Sequence, residues 1–147
     1  MNTVYLAGPI EGVSLEEGKA WRDEAAALFN SQKVLVCDPN RMWVLSPDMH
    51  SKCTEEQLGA IASIDLHAVQ TVDGLLVLMD NHTYTCGTFI EIVEAISIRK
   101  PIVFWTPDNT IPGFLKGVIY NTYDCYIGIE SDLLVACELL MNVIGAI

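Results

Sequence analysis

Short, unbroken apolar runs alternate along this chain with longer segments of helical period. The runs at residues 3–7, 33–37, 74–79, 101–105 and 125–129 have the length and composition of strands buried on both faces of a parallel sheet. The first stops at Gly8-Pro9, because proline donates no ladder hydrogen bond, and the second stops at Asp38-Pro39-Asn40. Between them, residues 14–31 predict a helix: Ser14 and Glu17 have capping-box spacing, and Leu15, Trp21, Ala25, Leu28 and Phe29 form an apolar stripe. A second helix is expected from Thr54 to about Val69, capped by Thr54 with Gln57. A third is expected over residues 87–99. Ser131 is placed to cap a last helix reaching Gly145, whose nearly all-round apolar character predicts burial against the sheet or a second subunit. Residues 41–53 show no period and hold Trp43, Pro47 and His50, which reads as an active-site loop. Strands alternating with helices predict an α/β fold with a doubly wound parallel sheet of about five strands.

Composition narrows the class of partner. A chain of 147 residues, 51% hydrophobic, suits one domain over residues 1–147, able to bury roughly 68–70% of its unfolded surface. No run approaches the roughly 18 apolar residues that span a bilayer, and the start lacks a basic region followed by an apolar segment, so no membrane partner and a cytoplasmic location are expected. Cys37, Cys53, Cys86, Cys125 and Cys137 are odd in number and lack Cys-x-x-Cys spacing, which predicts reduced thiols. Nineteen Asp and Glu against eight Lys and Arg repel a phosphate backbone, so a nucleic-acid polymer is excluded as a partner. A single nucleoside or nucleotide is not, since one helix N-terminus can hold one phosphate against an unfavourable overall field. His50, His67 and His82 have no ligand-like spacing, so no metal is expected. Neither Gly-x-Gly-x-x-Gly nor a P-loop is present, and no cofactor is called for.

The chemistry concentrates in Thr85-Cys86-Gly87-Thr88-Phe89-Ile90-Glu91, just after the apolar run at 74–79. Ligands of open α/β sheets sit beyond the carboxyl ends of such strands. Glu91, read here as a first-turn residue of the following helix, would face that crevice with the positive helix end favouring its ionised form. An ionised carboxylate there serves as a nucleophile or stabilises a cation. The same position also suits an ordinary helix-start carboxylate. Glu94, one turn later, reads as a surface residue or a helix pair.

Five segments in order, Tyr5-Leu6-Ala7-Gly8-Pro9, Trp21-Arg22, Asp65-Leu66 with Asp73 eight residues on, Gly87-Thr88-Phe89-Ile90-Glu91 and Lys100-Pro101-Ile102-Val103, resemble the nucleoside 2-deoxyribosyltransferases and their shorter relatives, including nucleotide N-hydrolases. The resemblance implies a flavodoxin-like, three-layer α/β/α fold. It implies cleavage or exchange of the N-glycosidic bond of a nucleoside or its 5′-monophosphate, with Glu91 as nucleophile, Tyr5 as its hydroxyl neighbour and Asp65 as the second essential carboxylate. It also implies that Gly8, Pro9, Thr85, Gly87 and Thr88 border the substrate, and that a neighbouring subunit completes each site. Two positions depart from it. Many deoxyribosyltransferases carry Asp where Thr85 stands, while related N-hydrolases have a small hydroxyl residue there that can bond a 5′-phosphate. The shorter relatives often have Arg before the helix Asp, where this chain has Ile64.

These assignments agree with the chemistry. An N-glycosidic bond breaks through an oxocarbenium-like centre, which a carboxylate beside the anomeric carbon stabilises or traps. The leaving base needs a proton, which Asp65 would supply from a helix leading into the apolar third strand. Tyr5 would orient Glu91, Gly8 would allow close approach of the backbone to the sugar, and Trp43 would stack on the base. Structural readings stand beside each: Asp65 as an exposed helix residue, Tyr5 as a core aromatic with a bonded hydroxyl, and Asp73 as a turn cap. The apolar last helix and residues 105–120 predict a homodimer or higher homo-oligomer. Two other functions fit the same pattern: a nucleotide-binding module without turnover, and a flavodoxin-like signalling or flavin domain.

Overall fold

All five apolar runs become strands of one parallel sheet. The computed structural model describes residues 1–10, 13–42, 53–80 and 86–147. Within them the elements run β1 (Thr3–Ala7), α1 (Leu15–Ser31), β2 (Leu35–Cys37), α2 (Pro39–Met42), α3 (Glu55–Thr71), β3 (Gly74–Leu78), α4 (Cys86–Ser97), β4 (Ile102–Trp105), α5 (Gly113–Tyr120), β5 (Ile127–Glu130) and α6 (Leu133–Val143). The strand order is β2-β1-β3-β4-β5, every neighbour parallel. This is the doubly wound order of flavodoxin-like folds, and the winding reverses between β1 and β3, where such sheets open a crevice at their carboxyl ends.

Alternation along the strands divides the core in two, because successive side chains point to opposite faces. Val4, Leu6, Leu76 and Val103 pack with Trp21, Ala25 and Phe29 of α1 and with Leu133, Ala136, Cys137, Leu140 and Met141 of α6. Tyr5, Ala7, Leu75, Val77, Ile102 and Phe104 pack on the other face with Val69 of α3, Ile92 and Ala95 of α4, and Leu115 of α5. Burying Phe29 completely contributes about 1.5–3 kcal/mol relative to leaving it in water. Helices α1 and α3 both start on complete capping boxes, Ser14 with Glu17 and Thr54 with Gln57, as their spacing predicts.

Several boundaries differ from the sequence expectation. Strand β2 begins at Leu35 because Lys33 adopts a left-handed φ of 62°, and the turn is closed by Val34 N–H donating to the Phe29 carbonyl. Helix α6 is capped by Asp132, whose side chain accepts from Val135 N–H at 3.1 Å. Ser131 instead offers its carbonyl to Trp105 Nε1 at 3.2 Å. Two apolar residues of α6, Leu134 and Val135, stay exposed while its other side covers the sheet. The loop expected from Arg41 is preceded by a short helix that Arg41 and Met42 close, and residues 43–52, with Trp43 and His50, lie outside the described residues. Helix α5 was not anticipated: Gly113, Gly117 and Pro112 hide its period, and it starts without a side-chain cap. Among the described residues no helix is long and apolar enough to cross a membrane.

Candidate active site

Glu91 occupies a core position of an amphipathic helix. Thr88, Glu91, Ile92 and Ala95 form the buried face of α4, at the i, i+3, i+4, i+7 spacing that turns a helix stripe onto a sheet. Helical periodicity therefore drives a carboxylate inward, leaving it 9% exposed. It meets Tyr5, which projects from β1 onto the same face and donates its hydroxyl to Glu91 Oε1 at 2.7 Å. Because α4 begins at Cys86, Glu91 is its sixth residue and not in its first turn, as the sequence reading had it. The positive helix end acts mainly over the first turn, so burial decides the state of this carboxyl.

Burial pushes the Glu91 carboxyl up to about 7, the Tyr5 hydrogen bond pulls it down, the Asp65 charge raises it, and the Arg22 charge lowers it. The Tyr5 phenol is raised by burial and by the charges of Glu91 and Asp65, so it stays a donor at all working pH values. Because Glu91 binds its proton more tightly in the folded than in the unfolded chain, its ionisation costs stability. That cost is absent below the ordinary value near 4.5, grows as pH rises, and is complete above about 7. Glu91→Gln removes it. Denaturant unfolding is expected to show the variant gaining stability over the native chain at pH 8 by up to about 3 kcal/mol, and losing that advantage at pH 4.5. Equal differences at both pH values would contradict the buried-carboxyl assignment.

Asp65, half-buried on α3, lies close enough for its charge to act on Glu91, Tyr5 and Cys37. Gly8 and Pro9 leave β1 as a buried turn. A side-chain carbon on Gly8 would meet Trp21 Cζ2 at 2.9 Å and Leu78 Cβ at 3.3 Å, so the small residue admits α1 against the sheet. Thr88 is buried beside Glu91 on the inner face of α4, and Gly87 is exposed at the helix start. Thr85 and Trp43 lie outside the described residues, as does His82. Among the described residues no group of three or more His, Cys, Asp or Glu is placed to hold a metal ion, and all five cysteines carry free thiols.

Two acids have structural partners. Asp73 accepts from Thr3 N–H at 2.7 Å, stitching the start of β1 to the turn before β3. Glu94 accepts from Gln70 Nε2 at 2.7 Å, tying α4 to α3. Sequence reasoning passed over Arg22, Asp38 and Cys37 as site residues, yet the Arg22 charge acts on Glu91, Asp38 pairs with Arg22, and Cys37 feels the charges of Glu91 and Asp38. Arg22 is fully buried, Asp38 is 4% exposed, and Cys37 pairs in register with Tyr5. The available signal was a lone arginine falling between Gly18 and Ala26 on the inward stripe of α1.

Comparisons with known proteins identify the family and the fold. The family model described as nucleoside 2-deoxyribosyltransferase matches residues 4–127. No curated protein matches the chain. Among solved structures, a 2-deoxyribosyltransferase from Bacillus psychrosaccharolyticus superposes with a TM-score of 0.72 at 15% identity, covering 97% of this chain and 95% of that one. A CMP N-glycosidase from Clostridium botulinum gives a TM-score of 0.62 at 14% identity, covering 97% and 99%. A flavodoxin-like domain from Synechococcus gives 0.51 at 8% identity, covering 97% and 95%. At these identities the structural likeness establishes the fold.

Proposed function

Since the chain belongs to the nucleoside 2-deoxyribosyltransferase family, with N-glycosyl transfer or hydrolysis as its class of chemistry, we propose that it breaks the N-glycosidic bond of a nucleoside through a glycosyl-enzyme on Glu91. The observation that carries this reading is the buried Glu91 carboxyl, with one oxygen held by the Tyr5 hydroxyl at 2.7 Å and the Asp65 carboxyl near enough to couple to it electrostatically. Two neighbouring carboxyl groups favour the state in which one is charged and the other holds a proton. Glu91, charged, attacks the anomeric carbon while the bond to the base breaks; Asp65 protonates the departing base. The Tyr5 hydrogen bond fixes Oε1 and leaves Oε2 for the sugar. In the second step an incoming base or water attacks the anomeric carbon, Asp65 takes up its proton, and Glu91 is released. The Gly8-Pro9 turn, Gly87 and Thr88 border the sugar in this reading.

The test is chromatography of free base released from a panel of nucleosides and 5′-monophosphates, with and without a second base. A new nucleoside formed only when the second base is added makes the protein a transferase. Release without it makes the protein a hydrolase, and a preference for 5′-monophosphates would match the hydroxyl of Thr85. No release, with ligands still bound equally by native protein and Glu91→Ala, would replace this reading with a binding module.

We also propose that the protein works as a homo-oligomer. Phe114, Tyr120 and Tyr123 are 82%, 78% and 84% exposed around α5, and Ile90 and Val93 of α4 are 56% and 58% exposed near Glu91. Grouped apolar exposure of this kind marks an interaction surface. Light scattering at micromolar concentration is expected to give at least twice the 16.2 kDa chain mass; a stable monomer would remove the proposal.

A further inference from the structure

Arg22 is the most completely enclosed charged side chain among the described residues, with 0% exposure. Its two terminal nitrogens donate to main-chain oxygens: Nη2 to the Gly8 carbonyl at 2.9 Å, and Nη1 to Gly18 at 2.7 Å and to Pro9 at 3.5 Å. Asp38, at the end of β2, lies 3.3 Å from Nε as an ion-pair contact. The guanidinium carbon sits 4.6 Å from the Trp21 ring centroid. A buried ion pair is weak evidence for stability, because desolvating two charges consumes most of what their attraction returns. The Gly8, Pro9 and Gly18 carbonyls need only a neutral donor. The full positive charge, placed where the β1 turn meets the interior, therefore asks for another explanation.

We propose that Arg22 is a positioning residue for the Glu91 chemistry: an interior positive charge, clamped to the Gly8-Pro9 turn and balanced by Asp38, that keeps the buried carboxylate usable as an anion and sets the substrate turn beside it. The inference rests on the proposed role of Glu91 and deepens it. Among the described residues, Tyr5 from β1 bonds Glu91, the charges of Asp65 from α3 and Arg22 from α1 act on it, and Cys37, at the end of β2, feels its charge, with Asp38 paired to Arg22. Tyr5 and Cys37, both raised above their ordinary values, stay neutral at pH 7, and an Asp carries no positive charge in either of its states, so Arg22 is the one cation in this set. Its charge opposes burial and Asp65, the two influences that push Glu91 toward the protonated form.

The experiment compares Arg22→Gln, which still donates to the turn but carries no charge, with Arg22→Lys, which keeps the charge and loses the fork. Two readouts are taken: the pH profile of kcat/KM, and an isotope-edited infrared titration of Glu91, isolated by subtracting Glu91→Gln. Arg22→Gln is expected to move the ionisation of Glu91 upward by about one pH unit, the lower end of what a nearby opposite charge provides. kcat/KM then falls about tenfold at pH 6 and converges toward native above pH 8, while Arg22→Lys restores the native midpoint. If Arg22→Gln does not fold, Arg22→Gln/Asp38→Asn leaves no unmatched charge inside and gives the same reading. An unchanged infrared midpoint, or a loss of activity equal at every pH, overturns the inference and leaves Arg22 a scaffold residue. A shifted midpoint in a protein that releases no base supports the inference about Arg22 while the glycosyl-enzyme reading fails, so the two are judged separately.

Discussion

Glu91→Gln is expected to lower base release by at least about 10³-fold, within the range seen when a covalent nucleophile is removed. Gln is nearly isosteric, retains an oxygen for the Tyr5 hydroxyl 2.7 Å away, and removes an ionisation that burial resists. The loss should therefore appear in single-turnover chemistry with the fold intact and ligand affinity close to native. A second signature follows from the covalent step. Native protein mixed with excess nucleoside and quenched in acid should yield a mass increase of one glycosyl unit on the peptide carrying Glu91, and Glu91→Gln should yield none. Base release within about tenfold of native in the variant would end the nucleophile assignment.

Asp65→Asn is expected to cost about 10²- to 10⁴-fold in kcat, the usual worth of a positioned general acid. The loss should depend on the leaving group. A purine or pyrimidine base leaves badly without a proton, so the penalty is full; a nitrophenyl deoxyriboside leaves as a stable anion and should be cleaved at a rate within about tenfold of native. The variant also loses a negative charge that raises Glu91. The acid limb of kcat/KM should then move down from about 7 toward the ordinary carboxylate range, opposite in direction to Arg22→Gln. Equal losses for both substrate types, with no movement of the acid limb, would make Asp65 a structural residue.

Most of the fold was legible because its signals are local. The five apolar runs, the Ser14-Glu17 and Thr54-Gln57 boxes, and the Gly8-Pro9 stop each act within a few residues; both boxes form as expected, and each run yields a strand, with β2 and β5 starting two residues late. Helix α5 was missed because glycine and proline erase the local pattern, while Leu115, Val118 and Ile119 pack it against the core. The cap of α6 shifted by one residue because Asp132 reaches Val135 N–H while the Ser131 carbonyl is taken by Trp105, a partner 26 positions away. Glu91 and Tyr5 were legible singly, as a carboxylate near a helix start and a tyrosine in the first strand. Their hydrogen bond joins residues 86 positions apart.

The sequence by itself thus determined the parallel α/β class, the family, and the residue types available for glycosyl chemistry, because strand and helix periods and ordered motifs are properties of short segments. Only the tertiary structure decided the electrostatics of the site. The expectation of an ionised, helix-favoured Glu91 became a carboxyl pushed up to about 7, since desolvation depends on everything packed around a group and not on its own helix. Arg22 and Asp38 belong to the same decision. On the chain they are an ordinary helix arginine and a turn aspartate, and only the closing of α1 over the end of β2 buries them as an ion pair.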